Sequence, residues 1–536
     1  MKMKIIIGIA LAGIAALDAQ LFINVRVNTD ATTQIQNEQQ ISVNPLDSLN
    51  FVANWRDFRI GYRQVGHAAT FDGGRTWVAE TLYVEPTYNW DSDPGMTVDK
   101  DGKFFAIILS FNSTSEPNGY FVYESTDKGL TWSLPRTVVN NVPNVFEDKE
   151  FIACDRTASP NQGNLYVAWA RFVNFSSPAV YFTRSTDRGF SWTQPINISD
   201  VNGGLQFPVP AVGPAGQVYV AWVTNSQIRI DRSTNGGVSF GTDRTVQNVA
   251  SMLRYVKGSI STFSFPALDV DISGGSYNSY VYCAFMDDGT DGYPDMFFTR
   301  STDQGVTWSS RVRINDDPPN NNIDQFHPWL CVDKTGCISV VFYDSRNDPQ
   351  NILTDLYLAQ STDAGATWLP NVRVTTTSFD LTAGSIFADA IDPNRPRADR
   401  AGLIGEYNGV AASSRNNVVP IYTDTRSGNQ DTYAAARSPV GNAETSEARQ
   451  NFAIFGPNPW HRGPVRLNLN VAETGYISVD LFDAQGRNMG CLYAGNLAAG
   501  RHCIVLDRPA DMTDGVYFLR FKNGDRSEIH KLVVTK

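Results

Sequence analysis

One pattern limits the fold of this chain more than any other feature. The octet Ser/Thr-x-Asp-x-Gly-x-Thr/Ser-Trp occurs first as Thr70-Phe71-Asp72-Gly73-Gly74-Arg75-Thr76-Trp77. It returns around Asp127, Asp187, Asp303 and Asp363, and a worn copy around Asn235 keeps the shape with Asn for Asp and Phe240 for Trp. The chemistry is that of a turn. A carboxylate accepts the N–H groups that follow it, glycine supplies a φ other residues resist, and the aromatic packs on a sheet. The box therefore joins two antiparallel strands, and Asp72, Asp127, Asp187, Asn235, Asp303 and Asp363 are read as structural.

Apolar runs surround each box in a fixed order: an inner strand, a turn, a second strand, a third running into the box and a fourth leaving it. Residues 96–98, 104–109, 120–124 and 132–139 form one such unit. The same order can be followed from Glu38, Lys149, Phe207, Phe265 and Pro328. Spacings between box positions run from 48 to 68 residues. Four-stranded units repeating at this period are propeller blades. A seventh unit without a box has strands at 407–412, 418–423 and 432–436 and lacks a fourth. The N-terminal run Phe22-Ile23-Asn24-Val25-Arg26-Val27-Asn28 resembles fourth-strand runs such as Arg311-Val312-Arg313-Ile314-Asn315. It is expected to complete the last unit, which removes an open sheet edge.

Composition agrees with a β-rich chain: 42 Gly, 12% aromatics and only 18% charged residues in 536. The net charge of −11, without a basic run, speaks against a nucleic-acid partner. The five histidines are not paired at metal spacing, which argues against a zinc site. Lys2 and Lys4 followed by an apolar run to Leu17 read as a signal peptide over 1–19. The propeller is assigned to 20–439, a polar linker to 440–451 and a small β-sandwich to 452–536. Among six cysteines, Cys331 and Cys337 flank a turn and Cys491 and Cys503 lie in neighbouring strands; Cys154 and Cys283 are read as buried thiols.

The boxes resemble the Asp-box (bacterial neuraminidase) repeat, and the first 440 residues resemble secreted Asp-box propellers. The expected fold is all-β: a seven-bladed β-propeller with Asp-box turns, then a small immunoglobulin-like β-sandwich. The final segment resembles the type A sorting domain of type IX secretion. The stretches that carry the likeness are Pro457-Asn458-Pro459, Val479-Asp480-Leu481-Phe482-Asp483 with Gly486-Arg487, Gly515-Val516-Tyr517-Phe518 and Lys531-Leu532-Val533. The resemblance implies recognition by the type IX machinery and a secreted or outer-membrane-surface location in a Gram-negative bacterium. Within this segment, alternation is expected to bury Val479, Leu481, Val516 and Phe518.

If the box turns close the bottom of the propeller, the inner-strand entries and the loops between second and third strands encircle its top. The entries carry Glu38, Asp93, Asp148, Glu150, Gln206, Asp324, Gln325, His327 and Glu406. The loops carry Arg56, Asp57, Asp344, Arg346, Asp424 and Arg426. Sialidases of the resembled family use three arginines, a Tyr nucleophile with a Glu partner, and an Asp acid/base. Arg346, Arg426 and Arg56 would supply the arginines on consecutive blades; otherwise Asp344/Arg346 and Asp424/Arg426 tie loops together. Glu406 and Tyr407 are adjacent and, on a strand, would face opposite ways. The family's Phe-Arg-Ile-Pro motif is unmet, since Phe58-Arg59-Ile60-Gly61 lacks the proline. Catalytic carboxylates, if the chain is a glycosidase, are sought among Asp93, Asp148, Glu150 and Glu406. Lys149 between Asp148 and Glu150 otherwise makes an ion pair with them. Arg56, Gln325, His327, Asp344, Arg346, Asp424 and Arg426 are the candidate ligand contacts, with a structural hydrogen bond as the simpler role for His327. Trp55, Trp90, Trp329 and Tyr343 are candidates for stacking on sugar rings. Asp287, Asp288 and Asp291 in an acidic loop could supply oxygen ligands to calcium, the one cofactor considered. The function expected is an exported propeller binding glycan or protein at the top of its channel, with a sialidase-like glycosidase as the alternative.

Overall fold

The computed structural model describes residues 21–382 except 85, 87, 258 and 259, residues 404–438, and most of 452–535. The expected signal peptide and linker, and the Pro457-Asn458-Pro459 stretch, lie outside the described residues. The chain divides into two compact units, Met1–Gly441 and Asn442–Lys536.

Among the described residues the first unit contains seven antiparallel sheets of four or five strands, six of them built in chain order. The first runs through Gln36–Val43, Phe51–Asp57, Gln64–Thr70 and Val78–Leu82. Five others repeat that order, with first strands Trp90–Val98, Val145–Cys154, Leu205–Val212, Ala267–Val270 and Gln325–Val332. The seventh is Gly409–Ser414, Asn417–Asp424, Asp431–Arg437 and then Phe22–Arg26 from the other end of the chain, with Phe22 opposite Arg437 and Arg26 opposite Tyr433. Each first strand touches the first strand of the next sheet, and Gln36–Val43 touches Gly409–Ser414, so the series closes on itself. This is an arrangement consistent with a β-propeller. Not foreseen from the sequence is a two-stranded hairpin, Leu253–Val256 with Ile260–Phe263, between the fourth and fifth sheets.

The boxes fold as their chemistry dictates. In the fifth sheet, Asp303 Oδ1 accepts the Thr307 N–H at 2.8 Å and the Ser301 hydroxyl at 2.7 Å, while Oδ2 accepts the Thr307 hydroxyl at 2.6 Å. Burial would raise this carboxyl, but these hydrogen bonds hold it down, at about 2. In the worn copy the polarity reverses: Asn235 Nδ2 donates to the Ser239 hydroxyl at 2.9 Å. The box glycine also serves the joint between sheets. Gly365 has φ +77, and a Cβ there would sit 2.2 Å from Phe298 of the preceding sheet.

Cys331 lies opposite Ser339 in its ladder rather than opposite Cys337, and both are free thiols, as are Cys154, Cys283 and Cys491.

In the second unit, one sheet holds Phe452–Phe455, Val465–Val471 and Gly500–Leu506. The other orders Asn488–Leu497, Gly475–Asp483, Gly515–Asn523 and Arg526–Val534. Leu467, Leu469 and Ile504 of the one share a core with Val479, Leu481, Leu519 and Phe521 of the other. Val479 and Leu481 are buried as expected, but Val516 is exposed and Phe518 only half-buried. The parity of that strand is set by pairing: Leu481 stands opposite Leu519 and Val479 opposite Phe521, which turns Tyr517, Leu519 and Phe521 inward.

Candidate functional site at the channel mouth

Five of the seven first strands carry an irregularity at the same level. The ladder register shifts between Asn37 and Gln40, Ser92 and Gly95, Asp148 and Phe151, Gln206 and Val209, and Phe326 and Trp329. Within each shift one residue adopts a left-handed backbone: Glu38, Asp93, Lys149, Phe207 and His327, with φ between 49° and 57°. Bulges of this kind re-aim side chains and are frequent beside functional sites. For residues with a Cβ the conformation costs about 1–2 kcal/mol each, so the surrounding packing must impose it. Three of the five precede proline (Pro94, Pro208, Pro328), which brings no N–H to the interrupted ladder.

The bulges collect charge. Lys149 Nζ donates to Asp93 Oδ2 at 2.7 Å and closes an ion pair with Glu406. Asp93 also accepts the Ser92 hydroxyl at 2.6 Å. Arg56 pairs with Glu38 at 3.0 Å and donates from Nε to Asn37 Oδ1 at 2.8 Å. Asp148, the least buried carboxylate of the group, accepts from Gln206 Nε2 at 3.0 Å. Glu150 is buried with neither carboxyl oxygen hydrogen-bonded among the described residues. Lys149 thus pairs across the ring with Asp93 and Glu406, and not with its chain neighbours Asp148 and Glu150 as the sequence suggested.

Burial pushes Glu38 up to about 8 against the pull of Arg56, and Asp148 up to about 6 against that of Lys149. Burial and the nearby Asp93 charge raise Glu150 well above the carboxylate range. For Asp93 burial acts upward too, but the Lys149 ammonium wins and holds it below its ordinary value. Burial would lower Lys149, and Asp93 and Glu406 reverse that, so it stays charged. Carboxyls with environments that drive their titrations apart can divide acid and base roles. Asp148 is the one raised toward neutral pH that also keeps part of its surface exposed.

Beneath the charges lies an aromatic layer. Tyr407 stands 5.3 Å from Phe151 and 6.1 Å from Trp329 between ring centroids, Phe265 packs on Trp329 and Phe207 on Phe265, and the Tyr407 hydroxyl donates to Pro94 O at 3.4 Å. Glu406 and Tyr407 therefore both reach the channel. They precede the strand Gly409–Ser414, so strand alternation does not govern them.

No family model and no curated protein matches the chain. Among solved structures it is similar to an ulvan lyase of a polysaccharide lyase family, at 9% identity and a TM-score of 0.46, over 77% of this chain and 95% of that one. It is also similar to the leech intramolecular trans-sialidase, at 13% and 0.44, over 62% and 69%. A third is an α-L-arabinofuranosidase from Fusarium graminearum, at 13% and 0.42, over 78% and 98%. These likenesses carry no statement about substrate.

The other expected contacts are committed elsewhere. Asp344 accepts the Arg346 N–H at 2.7 Å and its Nε at 2.8 Å; Asp424 does the same for Arg426 at 2.8 and 2.9 Å. Arg346 continues to Asn371 and Arg426 to Asn24, both at 3.0 Å, and those asparagines donate to Ile314 O and Val374 O of the preceding sheets. The equivalent in the first sheet is Asp57 with Arg59, at 2.8 and 3.0 Å, and not Arg56. The three guanidiniums are thus held by loop-tying bonds, and the expected trio Arg56, Arg346 and Arg426 is not one set. The Asp-x-Arg spacing was the signal that distinguishes Arg59 from Arg56.

Gln325 is fully buried in a network with Asn315, Asp317 and Asp344. His327 is buried, but neither ring nitrogen has a hydrogen-bond partner among the described residues, contrary to the expected structural bond. Burial holds it down at about 3, so it is neutral. Trp55 and Tyr343 are fully buried and unavailable for stacking; Trp90 and Trp329 are half-buried. The acidic loop does not converge on one point. Asp287 accepts from the Ala250 N–H and Arg311, Asp288 pairs with Arg254, and Asp291 accepts the Asn322 N–H. Among the described residues no group of three or more His, Cys, Asp or Glu side chains is placed to hold a metal.

Proposed function

We propose that this is an exported seven-bladed propeller that binds a glycan at the mouth of its channel, above the bulge layer. The observation that carries the reading is Asp148: half-buried, held by Gln206, and set over a ring of buried paired charges. Such a group is available to sugar hydroxyls while its orientation is fixed. A glycan array probed with the full chain tests it. Asp148→Asn and Gln206→Ala should each weaken the best hit about tenfold or more. Retained binding in both variants, or no hit at all, would sink the reading.

A second reading is a glycosidase, favoured by Asp148 being pushed up to about 6 beside an Asp93 held ionised. A panel of fluorogenic glycosides decides between the two. Turnover that Asp148→Asn abolishes establishes the enzyme; turnover untouched by that change points to contamination or to another site.

The second unit is proposed to be an immunoglobulin-like sorting domain for type IX secretion, acting with the expected signal peptide to send the chain to the surface of a Gram-negative cell. Support comes from its sequence stretches and its separation as a compact unit. Deleting 452–536 should trap a folded first unit in the periplasm. Efficient release of the truncated chain refutes the assignment.

A further inference from the structure

The hairpin Leu253–Val256 with Ile260–Phe263 belongs to none of the seven sheets, and the repeat does not call for it. Its inner face is fixed: Val256 and Ile260 are buried in one core with Phe326 of the sixth sheet. Lys257, next along the chain, locks it sideways. The buried ammonium donates to Ser345 Oγ at 2.6 Å and to Asn351 O at 2.8 Å, and stands 3.7 Å from Asp324. Ser345 and Asn351 lie in the loop between the second and third strands of the sixth sheet. Between the hairpin, that loop and the turn before Pro294 of the fifth sheet is a pocket of about 590 Å³. Small-ligand pockets span about 300–1,000 Å³.

Two tyrosines line it and face solvent: Tyr255 is 63% exposed and Tyr293 37%. Neither hydroxyl has a hydrogen-bond partner among the described residues, and neither ring packs on another aromatic there. The charged groups of the lining balance, two cations against two carboxylates, and all are engaged. Arg254 pairs with Asp288, Lys257 with Asp324, and Asp380 Oδ1 accepts the Thr382 N–H and hydroxyl at 2.8 and 2.6 Å. The Gln350 amide, exposed at the edge, makes no side-chain hydrogen bond among the described residues. The pocket thus offers flat apolar ring faces beside groups that both donate and accept, without net charge. A hydroxylated ring answers each demand: its C–H face lies on a tyrosine and its hydroxyl edge pairs with amide and phenol.

We propose that the hairpin builds a second carbohydrate site, for uncharged sugar residues of a polysaccharide, with Tyr255 and Tyr293 as its stacking platforms. It is separate from the site proposed at the channel mouth, which is built on Asp148 of the third sheet, and does not depend on it. Affinity electrophoresis of the full chain through gels that each contain one polysaccharide tests it: laminarin, galactomannan, arabinoxylan or arabinan, with dextran sulfate as the charged control. At least one neutral polymer should retard the chain. Tyr255→Ala with Tyr293→Ala, two solvent-facing positions, should weaken that retardation about fivefold or more, whereas Tyr255→Phe, which keeps the ring, should change it less than about twofold. Asp148→Asn should leave it unchanged. The proposal is overturned by no retardation in any neutral gel, by retardation in dextran sulfate alone, or by a double tyrosine variant that binds as the parent does. Retardation lost in Asp148→Asn and kept in the tyrosine variant would also overturn it, and would assign the polymer to the channel mouth.

Discussion

At the scale of single residues, polar side chains do two different jobs according to how much of their hydrogen-bonding capacity is met. Box aspartates are saturated: Asp127 accepts the Thr131 N–H at 2.9 Å and its hydroxyl at 2.6 Å, with Ser125 as a third donor at 2.9 Å. Asp127→Ala should cost about 1–2 kcal/mol, read from denaturant midpoints, since several modest hydrogen bonds go at once. With Asp303 held at about 2 against an ordinary 3.8, the folded state refuses protons that the unfolded chain accepts. The stability from these turns should be complete above about pH 4 and fall as pH drops toward 2. His327 is the unmet case. At about 3 against 6.5, it makes the folded state lose stability as pH falls below 6.5, continuing to about 3, with a slope of at most roughly 1.4 kcal/mol per pH unit. Melting curves of His327→Asn across pH 4–7 should show a flatter slope in that window; an unchanged slope would place the titration elsewhere.

At the scale of elements, each strand carries information for its neighbours as well as itself. The box turn closes its own hairpin and presents its glycine to the preceding sheet. Two substitutions separate the two demands. Gly203→Ala, at φ +89 with nothing within 4 Å of the added carbon, should cost about 1 kcal/mol of backbone strain. Gly365→Ala adds the collision with Phe298 and should cost about 3 kcal/mol or more in denaturant unfolding. Equal costs would mean that the joint can part to admit a methyl group. The bulges teach a related lesson. They lie near the starting residues from which the strand order could be followed in sequence, yet no local pattern announces a left-handed Glu38 or Lys149, because the conformation is imposed by two strands of unequal count.

For the whole molecule, closure of the ring rests on Phe22–Arg26, which covers the edge of Asp431–Arg437 and carries Asn24 to Val374 of the sixth sheet. Removing residues 21–28 should lower the melting temperature by several degrees and promote association through the bared edge, seen by calorimetry and light scattering. Deleting 452–536 should by contrast leave the melting of the first unit unchanged, because each unit has its own core.

The sequence by itself determined the local chemistry and its repetition. A turn that satisfies its own backbone within eight residues is legible wherever it occurs, and six copies at blade spacing count sheets without any long-range knowledge. The likeness of Phe22–Arg26 to other fourth strands was legible for the same reason. What tertiary structure alone decided was which distant groups meet. Lys149 took Asp93 and Glu406 over its own neighbours because the bulges re-aim Asp93 and Lys149 while Glu406 arrives just ahead of its strand, and ring closure brings the three together. Arg346 and Arg426 were spent on loops because Asp344 and Asp424 stand two residues away, nearer than any ligand could be. Strand Gly515–Asn523 chose its inward face by pairing and not by its own composition. The division follows from range: hydrogen bonds inside a turn are fixed by chain geometry, whereas the partners of a buried charge are fixed by whatever the closed ring brings within a few ångströms.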